Sequence, residues 1–123
     1  MYSNTMCLKE VNLLRINKEL LKGSTSTMVL KIISEGDIYG YRIAQRLTEK
    51  SSGAFQLKEG TLYPILHSLE GEGYITSYKT IESGRERKYY KITVLGVTKL
   101  NGMIEEWNVF SKCVSNVLEE CIQ

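Results

Sequence analysis

Residues 58–73 read KEGTLYPILHSLEGEG, and this stretch decides the fold. Four apolar side chains recur in it at the spacing of one helical face: Leu62, Ile65, Leu66 and Leu69. The remaining positions offer a polar outer face with Thr61, Tyr63 and His67. Gly71 and Gly73 follow, as glycine commonly does just past a helix end. A short helix with this outer face, followed at once by a basic hairpin, suits insertion into a nucleic-acid groove.

Two strands are predicted after this helix, from Tyr74 to about Thr80 and from about Arg87 to Thr93, because both segments are rich in β-branched and aromatic residues. Residues 82–84 supply the turn, and the segment 84–88 is predicted to be a tip with mobile cations. An isolated hairpin is only marginally stable. We therefore expect this hairpin to lean on the helices through Ile75, Tyr90 and Ile92, so that it forms a wing.

Helices are predicted before and after this centre, over 10–22, 27–34 and 40–50, with the first two either separate or joined by a kink at Gly23. Thr93 is placed to cap a last helix that reaches nearly to Gln123. Along that helix, apolar residues follow a heptad seam: Leu100, Met103, Trp107, Phe110, Val114, Val117 and Cys121. The simplest way to bury such an apolar seam is contact with a second subunit. We expect an N-terminal dimer-associated helix (1–23), a winged helix-turn-helix (24–93) and a C-terminal dimerisation helix (94–123).

Charge is distributed unevenly, although the net charge of the 123-residue chain is only +2. Residues 74–99 hold six cations against two anions, whereas residues 100–123 hold one cation against four anions. Positive potential is therefore concentrated beside the proposed groove-reading helix. No apolar run is long enough to cross a bilayer, and the N-terminus lacks a secretory pattern, so a cytoplasmic location is expected.

The sequence contains no residue pattern that is typical of a catalytic or metal-binding site. The single histidine, the scattered carboxylates and the absence of a glycine-rich phosphate loop leave no nucleophile–base pair, so we expect neither an enzyme nor a cofactor. Cys7, Cys113 and Cys121 lack the spacing of metal ligands, and reduced thiols are expected.

Three stretches together resemble the PadR family of bacterial transcriptional regulators: Gly40-Tyr41-Arg42-Ile43-Ala44, then Gly60-Thr61-Leu62-Tyr63-Pro64-Ile65-Leu66, then residues 84–93 (GRERKYYKIT) with Gly96. The resemblance covers roughly residues 28–100 and looks closest to the small subfamily that has a single C-terminal helix and includes multidrug-sensing members. It implies a winged helix-turn-helix, a dimer built by the terminal helices, and repression that is often relieved by a small molecule. Lys58 departs from the capping Ser or Asn that usually starts the reading helix in the family.

From these patterns we predict a mainly α protein with a small β-hairpin that acts as a dimeric repressor on a pseudo-palindromic double-stranded operator. The alternative is a winged-helix protein-interaction adaptor that has lost DNA binding. The predicted DNA-binding residues are Arg42, Lys58, Thr61, Tyr63, His67, Arg85, Arg87 and Lys88. The predicted residues for the dimer interface and for a planar apolar effector are Met103, Ile104, Trp107 and Phe110. The effector is expected to bind at the dimer interface and to relieve repression. Trp107 is open to two compatible interpretations, a buried dimer anchor or a stacking wall for that effector in a pore at the interface.

Overall fold

The computed structural model describes residues 23–119. It contains four helices and three strands in the order α1 (Thr25–Ser34), β1 (Ile38–Tyr39), α2 (Gly40–Lys50), α3 (Glu59–Gly71), β2 (Ile75–Glu82), β3 (Arg85–Ile92) and α4 (Val94–Leu118). The sheet is antiparallel with the strand order β1-β3-β2. The prediction of a mainly helical winged fold is confirmed. The predicted N-terminal helix over 10–22 lies outside the described residues.

The core is formed where one face of each helix meets the inner face of the sheet. Its fully buried side chains are Val29, Leu30, Ile33, Ile43, Leu62, Leu66 and Ile75. Tyr90 and Leu100 are also buried, and Ile92 packs against the same cluster. The expected contacts of the wing with the helices, through Ile75, Tyr90 and Ile92, are therefore present.

A third strand, β1, was not predicted from the sequence. It has only two residues, which is too short for an alternating pattern to be recognised. Ile38 pairs with Tyr90, and Tyr39 pairs with Tyr89, so β1 joins the hairpin to the start of α2.

The hairpin is longer and more regular than expected. Its strands are joined by only two turn residues, Ser83 and Gly84, both with positive φ values, of 53° and 76°. Two central residues with positive φ match the twist of antiparallel strands, so the ladder continues to the turn. The predicted extent of the tip, residues 84–88, is therefore wrong, because Arg85, Arg87 and Lys88 lie on the paired strand β3.

The helix α4 begins as predicted, since the side chain of Thr93 accepts a hydrogen bond from the Gly96 backbone N–H at 2.9 Å. It ends at Leu118, short of Gln123, and Cys121 lies outside the described residues. Leu100 is only 5% exposed and belongs to the core of its own chain, so it does not contribute to an intermolecular seam. Within residues 23–119, no helix combines the length and apolarity needed to span a bilayer.

Candidate nucleic-acid interface

The reading helix α3 presents the two faces that its sequence predicts. Leu62, Leu66 and Leu69 are buried, and they fix the helix against α2 and the sheet. Thr61, Tyr63 and His67 lie on the exposed surface. Lys58 occupies the N-cap position without a capping side-chain bond, as expected for lysine, and its own side chain is exposed.

Tyr63 is held against the start of α2. The first residue of α2 is Gly40, and a Cβ atom there would lie 2.7 Å from the Tyr63 hydroxyl and 3.2 Å from its ring. Glycine therefore permits the close approach of this ring. The other side of Tyr63 remains open, with 43% of the residue exposed. Tyr63 is thus packed on one side and available for contact with DNA on the other.

A groove of about 410 Å³ separates the wing (residues 75–92) from α3 and the start of α2, and we call it the wing groove. The residues that line it are Tyr39, Gly40, Tyr41, Tyr63, Arg85, Glu86, Arg87, Lys88 and Tyr90. Four predicted DNA-binding residues therefore meet in one concave surface: Tyr63, Arg85, Arg87 and Lys88. Lys58, Thr61 and His67 are exposed on α3 or at its start but do not line the groove.

Tyr41 is a residue of this surface that sequence reasoning missed. It is 61% exposed and lines the groove beside Tyr63. Its signal in the sequence was its place in the motif of residues 40–44 that resembles the family. The Tyr90 ring closes the floor of the groove, and burial is the main cause that raises the pKa of its hydroxyl.

The wing cations differ in their surroundings. The Lys88 ammonium lies 5.6 Å from the centroid of the Tyr90 ring, on the inner face of the sheet. The Arg87 guanidinium lies 4.2 Å from the centroid of the Tyr39 ring, and its Nε is 3.4 Å from a carboxylate oxygen of Glu82. Within residues 23–119, no ion pair involves Arg85, although Glu82 is its partner across the hairpin.

Arg42 lies in a different setting from the one predicted. Arg42, Arg46 and Lys50 recur every four residues along α2 and form a basic ridge, but two carboxylates are interleaved with it. Arg42 contacts Glu49 at 2.9 Å, and Arg46 contacts both Glu49 and Glu35.

Hydrogen bonds from these cations depress the pKa of both carboxyl groups. The bond from Arg42 is the main cause for Glu49, and the bond from Lys50 is the main cause for Glu35. Much of the positive charge of this basic ridge is therefore compensated by carboxylates of the same chain. Arg42 does not line the wing groove, and a contact of Arg42 with phosphate stays a prediction.

The residues predicted for the dimer interface and the effector all lie on α4, but they differ in what surrounds their side chains. Met103 and Ile104 are partly buried against the core of their own chain. Trp107 is 49% exposed and lines, with Ile104, a cavity of about 500 Å³ between α4, α1 and the end of α2. Phe110 is 63% exposed and lies outside that cavity.

Within the described part of the chain, no group of three or more His, Cys, Asp or Glu side chains is arranged to hold a metal ion. Cys113 is an exposed free thiol on α4. Cys7 and Cys121 lie outside the described residues.

A three-helix core with a reading helix and a flanking antiparallel hairpin defines a winged helix-turn-helix, the fold of a large class of DNA-binding proteins. Comparison with known proteins gives the family. The model of the transcriptional regulator PadR-like family matches residues 29–102, and the chain belongs to this family. It is accordingly a DNA-binding transcriptional regulator, and the prediction that it is not an enzyme is confirmed.

Relatives agree with this assignment. A transcriptional regulator from Clostridium thermocellum has a solved structure with a TM-score of 0.78 and 33% identity, covering 83% of this chain and 100% of that one. An uncharacterised protein X of Lysinibacillus sphaericus is 32% identical over 105 residues, which is 85% of this chain and 96% of that protein. The negative transcriptional regulator PadR of Bacillus subtilis is 31% identical over 74 residues, which is 59% of this chain and 41% of that protein.

Proposed function

We propose that this chain is a homodimeric repressor that binds a pseudo-palindromic operator with α3 in the major groove and the wing beside it. The observation that carries the proposal is the wing groove, which is lined both by Tyr63 of the reading helix and by the wing cations Arg85 and Lys88. The repressor role is supported by the similarity to the negative regulator of B. subtilis. The cytoplasmic location, and the division of the chain at residues 23 and 93, stay predictions.

The residues of this surface suit two kinds of contact. Arg85 and Lys88 supply charge for backbone phosphates, which position a protein on the duplex without reading its sequence. Thr61, Tyr63 and His67 lie on the outer face of α3, where side chains reach base edges when a helix enters the major groove. In this proposal, the wing and the start of α3, with Lys58, fix the register, and the middle of α3 reads the sequence.

The operator is tested by footprinting the purified protein on the DNA upstream of its own gene. We expect two protected half-sites related by a dyad, about one helical turn apart, since a two-fold dimer presents two reading helices. Tyr63→Ala should weaken binding to this fragment more than binding to a random duplex. If the protein binds no DNA and is not retained on heparin at low salt, the result would instead favour the protein-interaction adaptor.

The dimer is proposed from the second half of α4. Beyond Leu100, most of the apolar side chains of this helix are exposed in the single chain: Trp107, Val109, Phe110, Val114, Val117 and Leu118. Trp107, Phe110, Val114 and Val117 continue the heptad spacing on one stripe. A second copy of the same helix would bury that stripe, as coiled-coil seams do.

Sedimentation of two matched variants tests this interface. Phe110 and Val109 are similarly exposed, at 63% and 59%, but only Phe110 lies on the seam. Phe110→Asp should therefore shift the protein toward monomer, while Val109→Asp should leave the dimer intact. Equal behaviour of the two variants, or a monomeric wild-type protein at micromolar concentration, would contradict the proposed interface.

An effector site is proposed beside Trp107. The adjoining cavity of about 500 Å³ falls within the range of small-molecule sites, and its walls include the apolar side chains of Met28, Ile32 and Phe55. A planar apolar molecule stacked on the indole would relieve repression only if it bound the DNA-free form more tightly than the DNA-bound form.

Trp107 is the single tryptophan of the chain, so its fluorescence reports on this site directly. A planar aromatic dye should quench it saturably in the absence of DNA, and an operator duplex should weaken the dye's affinity. Trp107→Leu should abolish dye binding, which is followed by the fluorescence of the dye because this variant has no tryptophan, while sedimentation still shows a dimer. Dissociation of that variant into monomers would instead identify Trp107 as an anchor of the dimer.

A further inference from the structure

A row of three tyrosines crosses the outer face of the sheet. Tyr39 pairs in register with Tyr89, and Tyr89 pairs with Tyr78, so one residue comes from each strand. Successive side chains of a strand point to opposite faces. Since Tyr90 is buried in the core, Tyr89 and its two neighbours lie on the face turned away from the helices. The Tyr39 and Tyr89 rings meet edge to face at 5.6 Å, and the Tyr89 and Tyr78 rings stack at 5.7 Å.

Arg87 and Glu82 close this row into a ring of contacts, which we call the wing brace (Tyr39, Glu82, Arg87 and Tyr89). The Arg87 guanidinium lies over the Tyr39 ring at 4.2 Å. Its Nε is 3.4 Å from Glu82 Oε1, and the Tyr89 hydroxyl donates a hydrogen bond of 2.7 Å to Glu82 Oε2. Each member of the brace thus contacts two others.

The wing brace joins the wing to the part of the molecule that holds the reading helix. Tyr39 is the N-cap residue of α2, and the next residue, Gly40, receives the Tyr63 ring of α3. A second link runs from the wing to the loop before β1, where the Tyr78 hydroxyl donates a 2.6 Å hydrogen bond to Asp37 Oδ2. The direction of the wing is therefore tied to the surface on which Tyr63 rests.

We propose that Arg87 is a positioning residue, which fixes the wing relative to α3 through Tyr39 and Glu82, and that phosphate is bound by its neighbours Arg85 and Lys88. This inference rests on the proposed function for its DNA consequence. The charge of Arg87 is offset by Glu82, and one face of its guanidinium is covered by an aromatic ring. Within the described residues, Arg85 has no such ion pair, although it lies only two residues away on the same strand face.

Arginine-to-lysine exchange separates the two roles. A phosphate ligand on an exposed wing needs mainly a positive charge, which lysine retains. A guanidinium that stacks on a ring and bonds a carboxylate is not replaced by lysine, because the planar fork is lost. Arg87→Lys and Arg85→Lys are therefore matched variants with the same change in side chain and the same net charge.

The first readout needs no DNA. Hydrogen exchange of the wing amides 83–88 should accelerate about two- to fivefold in Arg87→Lys, as expected for a lost exposed cation–π contact. Tyr39→Leu should do the same, whereas Tyr39→Phe, which keeps the ring, and Arg85→Lys should leave exchange unchanged. Unchanged exchange in Arg87→Lys would overturn the proposal, even if Tyr39→Leu fails to fold.

The second readout is DNA affinity. Arg87→Lys and Tyr39→Leu should weaken binding by similar factors, and the double variant should bind no more weakly than either single variant. Arg85→Lys should keep near wild-type affinity. Full affinity in Arg87→Lys would show that only its charge matters and would refute the positioning role. Failure of the wild-type protein to bind DNA would refute the proposed function instead, and the exchange comparison would still decide whether Arg87 fixes the wing.

Discussion

Gly96, the third residue of α4, gives the sharpest prediction about stability. A Cβ atom added there would lie 2.1 Å from the Tyr74 carbonyl oxygen and 2.7 Å from Ile92 Cγ1. The isoleucine side chain can rotate, but the carbonyl cannot easily move. It accepts a hydrogen bond from the Thr93 backbone N–H at 3.0 Å. The Thr93 hydroxyl lies 3.1 Å from the same oxygen and 2.7 Å from the Gly73 carbonyl oxygen, to which it donates the shorter bond. Gly96→Ala must therefore push α4 away from the start of β2.

The expected magnitude follows from three terms. Overpacking of a rigid contact costs about 1–3 kcal/mol, and disturbing the Thr93 cap adds about 1 kcal/mol. The higher helix propensity of alanine offsets roughly 1 kcal/mol. We therefore expect Gly96→Ala to lower the free energy of unfolding by about 2 kcal/mol, measured by urea denaturation. All variants are compared at one fixed protein concentration, because the stability of a dimer of the kind proposed depends on concentration.

Gly102 is the matched control on the same helix. It is exposed, and a Cβ atom there would meet no atom within 4 Å. Gly102→Ala should therefore raise the free energy of unfolding by up to about 1 kcal/mol through helix propensity alone. If Gly96→Ala proves as stable as Gly102→Ala, the close packing of α4 on the start of β2 is wrong.

Three further changes test other contacts. Thr93→Ala should lower the free energy of unfolding by about 1 kcal/mol or more through the lost cap, while Thr93→Ser should restore most of it. In an alkaline titration followed by tyrosinate absorbance, Tyr78 should ionise last among the resolved steps, because its hydrogen bond to Asp37 raises its pKa to about 12. Because the pKa of Tyr78 is higher in the folded than in the unfolded protein, its contribution to the free energy of unfolding is complete below about pH 10 and is lost as the pH rises toward 12. Asp37→Asn should lower the pH at which Tyr78 ionises. Gly40→Ala should displace the Tyr63 ring and weaken DNA binding with little change in the urea midpoint; unaltered affinity would show that the ring position is unimportant.

Much of this fold is encoded in local pattern. The buried face of α3, the Thr93 cap and the contacts of Ile75 and Tyr90 follow from periodicity and capping chemistry, and the structure confirms them. The reading-helix and wing residues Tyr63, Arg85 and Lys88 were also named from the sequence, and they line one groove.

Contacts between distant residues were not predictable from such patterns. The pairing of β1 with β3 depends on long-range register, and two residues carry too little signal to reveal it. The carboxylate of Glu35, which pairs with Arg46 and Lys50 of α2, lies on another segment of the chain. In the same way, Leu100 satisfies the heptad spacing, but the core of its own chain buries it.

The most direct measurement of the central claim is the salt dependence of DNA affinity. Log affinity should fall linearly with log salt concentration, with a slope of about 0.9 per phosphate neutralised. Replacing Arg85 and Lys88 together by methionine should reduce the slope by about 3.6 for the proposed homodimer, because two cations are lost from each subunit. Lys112→Met, an exposed charge removed from α4, should leave the slope unchanged. An unchanged slope in the Arg85 and Lys88 variant, or an equal reduction in Lys112→Met, would contradict DNA binding through the wing groove.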